Sequence, residues 1–102
     1  GNVAGWLNTI TVENVHPSTT VAIRMKGLAG ETDDFKLYAY GKDGKLTEVP
    51  EDLWKIQTED GKTTEKLSED TLYEVHVTVE DGGTFDLSDT EKEIKIAVVL
   101  GN

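Results

Sequence analysis

Residues 73–80 read Tyr-Glu-Val-His-Val-Thr-Val-Glu. Tyr73, Val75, Val77 and Val79 alternate with Glu74, His76, Thr78 and Glu80. A period of two places each set on its own face of a β-strand, whereas a helical period would scatter both around the axis. A Gly82-Gly83 turn and an acidic connection follow, and then a second alternation sets Ile94, Ile96, Val98 and Leu100 against Lys95 and Ala97. The segment 67–100 thus predicts two long, half-buried, adjacent strands. Val75, Val77 and Val79 form one inward set and Ile94, Ile96 and Val98 the other. The rest of the chain has to cover their apolar faces.

Upstream, the same signals recur in shorter form. A first strand is expected from about Trp6 to Val12, and a connection through His16-Pro17, where the proline pushes its predecessor into extended geometry. Val21, Ile23 and Met25 share one face of a second strand, Thr20 to Lys26. Gly27 to Asp34 reads as a loop. In a third strand Phe35, Leu37 and Ala39 oppose Tyr38 and Tyr40. Asp43-Gly44 is a hairpin signal, because this dipeptide supplies positive φ angles, and Leu46 to Val49 is the returning strand. After Pro50, Leu53 to Thr58 reads as a strand, with a single helical turn over Asp52–Lys55 as the alternative. Asp60-Gly61 marks another turn, and Thr63 to Leu67 a short extended piece. Seven to eight short antiparallel strands with regularly spaced turns predict an all-β sandwich.

The chain has 102 residues, enough for one domain spanning 1–102. A chain of this size buries roughly 65% of its unfolded surface and needs no staples. It has no cysteine, which removes disulfides, thiol nucleophiles and Cys-ligated zinc. No run approaches a membrane span of about 20 apolar residues. Twenty acidic against ten basic residues leave a formal charge of −10. That balance argues against nucleic acid, whose phosphates demand clustered Lys and Arg, and against anionic membrane surfaces. It suits a secreted or cell-surface setting. The abrupt start at Gly1 and the terminal strand suggest a module of a larger protein, with that protein's neighbouring domains as partners.

Leu67, Thr71 and Tyr73, followed by Val75 and Val77, resemble the tyrosine-corner segment of fibronectin type III domains, although Glu69 stands where those loops carry proline. The resemblance implies an immunoglobulin-like antiparallel β-sandwich, with the Tyr73 hydroxyl bonding to upstream backbone and pinning the corner. Phe35–Tyr40 with its Asp-Gly turn, together with Val79–Leu87, is similar to modules of bacterial surface proteins. That likeness implies a spacer or stalk unit.

Three sets of residues are candidates for chemistry. Asp81, Asp86 and Asp89 lie in the connection 81–93, which reads either as a solvated acidic loop or as a source of carboxylates for calcium, an ion that takes six to eight oxygens. Glu31, Asp33 and Asp34 form a lesser cluster of the same kind. Tyr38, Tyr40 and Trp54 could stack on sugar rings, or could simply cover sheet and core. Glu74 and His76 share an outward face and could offer two zinc ligands. Catalysis would require Ser18, Ser68 or Ser88 to meet His16 or His76, and none sits in a recognisable nucleophile turn. The sequence therefore predicts a non-catalytic structural or interaction module without an obligatory cofactor, calcium being the one candidate. The alternative is a carbohydrate-binding module.

Overall fold

The computed structural model describes residues 8–13 and 17–101. Within them run nine strands: β1 (Asn8–Glu13), β2 (Ser18–Met25), β3 (Gly30–Glu31), β4 (Lys36–Tyr40), β5 (Leu46–Glu48), β6 (Trp54–Thr58), β7 (Lys66–Leu67), β8 (Tyr73–Glu80) and β9 (Glu93–Gly101). Two single 3-10 turns, Thr32–Asp34 and Glu51–Leu53, interrupt them. The fold is all-β and every strand pairing is antiparallel. One sheet has the order β1-β9-β4-β5 and the other β2-β8-β6, with β3-β7 as a small ribbon.

The two long alternating strands are not neighbours. Each is a central strand of its own sheet: β8 lies between β2 and β6, and β9 between β1 and β4. Alternation identifies their inward sets but not their separation. With β2 and β6 on either side of it, β8 has no place left for β9 alongside, and the connection 81–92 is long enough to cross to the opposite sheet. The inward sets still meet, face to face across the core. Val21, Ile23, Met25, Ile56, Val75, Val77 and Val79 come from one sheet, Leu37, Ala39, Ile94, Ile96, Val98 and Leu100 from the other, and all belong to one buried cluster. Each aliphatic side chain so buried stabilises the fold by roughly 1.5–3 kcal/mol before chain entropy is counted.

Local features follow from local chemistry. Gly44 and Gly61 sit at φ +77° and +86° in the Asp43-Gly44 and Asp60-Gly61 turns, as those dipeptides predict. The stretch read as strand or helical turn contains both: residues 51–53 form a 3-10 turn after Pro50, and the strand begins at Trp54. Part of the expected loop 27–34 is ordered by pairing of β3 with β7. Trp6 and Leu7, assigned to the first strand, and His16 lie outside the described residues.

The corner expected at Tyr73 is present as a hydrogen bond. The Ser68 N–H donates to the Tyr73 hydroxyl at 2.8 Å, and the tyrosine is only 3% exposed. The Thr71 N–H closes the turn onto the Ser68 carbonyl at 3.1 Å, and Leu67 is buried in the common core.

Candidate functional site

The acidic connection between β8 and β9 is not the open loop its composition suggests. Asp86 is fully buried, at 0% exposure. Its Oδ1 accepts backbone N–H groups from Ser88 at 2.9 Å and Lys95 at 3.0 Å, and its Oδ2 accepts that of Gly82 at 2.9 Å. Burial pushes the Asp86 carboxyl up. The N–H groups of Gly82, Lys95 and Ser88, helped by the Lys42 ammonium, pull it down further, and the balance lies below the ordinary 3.8. A carboxylate ringed by backbone donors favours its charged form in this way.

The other two aspartates of the proposed calcium set are placed differently. Asp81 accepts the Lys92 N–H at 3.0 Å. The Asp89 side chain is 95% exposed, with Lys42 Nζ 3.3 Å from its Oδ1. Among the described residues, no three of His, Asp and Glu are grouped to hold a metal ion. The structure does not gather Asp81, Asp86 and Asp89 into a cation cage, because both Asp86 oxygens face backbone donors and Asp89 faces solvent and a lysine. The same loop engages Ser88, whose hydroxyl donates to Glu93 at 2.8 Å and accepts the Thr90 N–H at 3.0 Å.

Tyr38 and Tyr40 share the outer face of the β1-β9-β4-β5 sheet, half-buried between the buried Leu37 and Ala39. The register sets Tyr38 beside Val99 and Glu48, and Tyr40 beside Leu46, which is 45% exposed. Trp54 does not join them. It starts β6 in the other sheet and packs against the core cluster. The three aromatics therefore form no common platform.

His76 and Glu74 bond to each other at 2.9 Å, and their side chains are 21% and 19% exposed. They are less open than an outward-facing strand position suggests, since β2 and β6 flank them. Arg24 and Gln57 stand opposite Glu74, and Ala22 and Lys55 opposite His76. A lysine beside the imidazole disfavours a cation there. Ser18 pairs across from Glu80, four residues along β8 from His76, about 13 Å at the rise of a strand.

One hollow stands out that the sequence did not signal. A groove of about 820 Å³ runs beside β6, lined by Phe35, Trp54, Ile56 and Lys55 together with the carboxylates Asp33, Glu51 and Glu65. Its residues come from four separated stretches, so no local pattern could have announced it.

No protein-family model, curated protein or solved structure matches the chain.

Proposed function

We propose that the chain is a non-catalytic interaction module of a larger secreted or cell-surface protein, held out from it as a side projection. The observation that carries this reading is the position of the outer strand ends. β1 begins at Asn8, opposite Val98 near the close of β9, so the start of the first described strand and the end of the last lie at one pole. A linear spacer or stalk unit conveys its flanks from opposite poles, and that form of the proposal fits less well. The use of the polar side chains supports the non-catalytic part. Asp86, the buried carboxylate among the described residues, holds backbone, and Ser88 holds loop. The acid excess of ten charges supports an exposed, soluble setting.

The immunoglobulin-like part of the reading draws on strand order. In that fold one sheet carries the second, fifth and fourth strands side by side, and the other pairs the third with the sixth. β2-β8-β6 and β4-β9 reproduce this arrangement, with β1 beside β9 where the family's last strand would lie. The tyrosine corner opens the fifth strand of this scheme, whereas the family carries it at the sixth.

Single-molecule pulling tests the reading. Handles at Asn8 and Gly101 should peel β1 from β9 one pairing at a time, at low force. Handles at Glu13 and Gly101 load the same pair in shear and should require more. Equal, high forces in both geometries would favour a stalk. The carbohydrate alternative rests on Tyr38 and Tyr40, which lie on one face about 7 Å apart along the strand. Glycan-array binding abolished by Tyr38→Ala or Tyr40→Ala would support it, and a flat array would dismiss it.

A further inference from the structure

We propose that the groove beside β6 is a strand-acceptor site, taking an extended segment of a partner protein that alternates apolar residues with lysine or arginine. This deepens the interaction-module reading and rests on it.

β6 is the outer strand of its sheet. In an antiparallel pair, alternate residues turn both backbone groups away from the partner. The Thr58 N–H bonds to the Lys62 carbonyl at 2.8 Å, outside the ladder with β8. That bond fixes the outward-turned set as Trp54, Ile56 and Thr58. The N–H and C=O groups of Trp54 and Ile56 thus point to the free side, where the groove lies. β6 contains no proline, and Lys55 is its single charged residue, so of the devices that commonly blunt an exposed edge it carries only that one lysine.

The groove is shaped for a strand and not merely open. Phe35 and Ile56 are buried at its floor, with the half-buried Trp54 beside them. The opposite wall, residues 63–65, is fastened to Thr32. The Thr32 N–H donates to the Glu65 carbonyl at 2.9 Å, and the Thr32 hydroxyl donates to the Thr64 carbonyl at 2.7 Å. A wall already held in place lowers the ordering cost of binding.

Charge selects the occupant. Asp33, Glu51 and Glu65 line the groove against the single cation Lys55, and among the described residues none of the three carboxylates is in an ion pair. The chain's own charge of −10 disfavours a second copy as the occupant. Addition of a strand to a sheet edge supplies affinity through main-chain hydrogen bonds and specificity through alternate side chains. Here the inward set would cover Phe35 and Ile56, and the outward set would meet the carboxylates. β2, the other outer strand of this sheet, instead carries Arg24 next to its last residue, Met25, with Lys26 just beyond it, so it offers no such preference for cations.

The test is an amide NMR titration of the whole chain with two synthetic peptides, (Lys-Val)4 and (Glu-Val)4. The basic peptide should shift the amides of Trp54, Ile56 and residues 63–65. At saturation it should slow hydrogen exchange at the Trp54 and Ile56 N–H by about ten-fold or more. The acidic peptide should leave all of them unmoved. The double variant Glu51→Lys, Glu65→Lys alters two exposed side chains, and its unchanged melting temperature would certify the fold. It should bind the basic peptide about ten-fold more weakly. Absence of binding, binding indifferent to the charge reversal, or shifts confined to β2 or to the Tyr38–Tyr40 face would each overturn the proposal. The pulling experiment reads the placement of the strand ends without reference to the groove, so failure here leaves the module reading separately testable.

Discussion

The Asp86 carboxylate accepts the backbone N–H of Lys95, nine residues away, at 3.0 Å, and through it the crossing loop is fastened to β9. The same side chain holds Gly82 and Ser88. Asp86→Ala would leave three N–H groups without their acceptor, that of Ser88 in a buried bond and those of Gly82 and Lys95 in part-buried ones. An unsatisfied buried donor costs about 1–3 kcal/mol, and some of that is recovered by relaxation. We expect a loss of about 3 kcal/mol by urea denaturation. A midpoint within error of the wild type would contradict the fastening role.

The Tyr73 hydroxyl is the acceptor for the Ser68 N–H. Tyr73→Phe keeps the ring in the core and removes only that acceptor. Stability should fall by ~1 kcal/mol, the usual net contribution of one hydrogen bond. No change in the melting temperature would count against the corner.

Lys92 is the one non-glycine residue at positive φ among the described residues, at +63°. Its useful contact is made by backbone, the N–H to Asp81, which glycine would retain. The left-handed region strains a residue bearing a Cβ by roughly 1–2 kcal/mol, and glycine's greater freedom when unfolded offsets part of the relief. Lys92→Gly should therefore stabilise the protein by ~0.5 kcal/mol. Measured destabilisation would show that the lysine side chain has a role of its own.

Calcium should not matter to the fold. Asp86 is engaged by backbone, and Asp89 points to solvent beside Lys42. Melting in millimolar calcium and in chelator should agree within about 1 °C, because a ligand that does not bind the native state cannot shift its equilibrium. An increase of several degrees in calcium would restore the ion-binding reading of this loop.

The inward residues of the fold were legible because burial leaves a period in the sequence. Val21, Ile23 and Met25, and likewise Val75, Val77 and Val79, carry it in consecutive alternation. The pairing partners of β8 and β9 were not legible, since alternation reports which face is buried and not which strand lies alongside. Tyr73 was legible through spacing, because its hydrogen bond spans only five residues. Asp86 was partly legible. The bond from the Ser88 N–H is a local Asx-turn of the kind Asp-Leu-Ser can form, but its contact with Lys95 depends on the crossing of the chain between sheets. The groove beside β6 was hidden altogether, since 3-10-turn, strand and loop residues meet there only in the folded chain.

The reading of Asp86 as a fastener, not an acid catalyst, stands on its protonation. A buried carboxyl poised for acid catalysis has its pKa raised toward neutrality, whereas one that serves as a fastener is held ionised. Asp86 is depressed below 3.8, so the unfolded state binds the proton more readily. Its contribution to stability is fully present above that value and is lost as pH falls through the lower, folded pKa. Asp60 is also depressed, chiefly by the Thr58 hydroxyl, and so the total acid sensitivity is not diagnostic of Asp86. The direct measurement is the carboxyl carbon titration of Asp86 in the folded protein by NMR. The account predicts a midpoint below 3.8; a midpoint raised to 5 or above, about the range of tuned catalytic carboxyls, would contradict it.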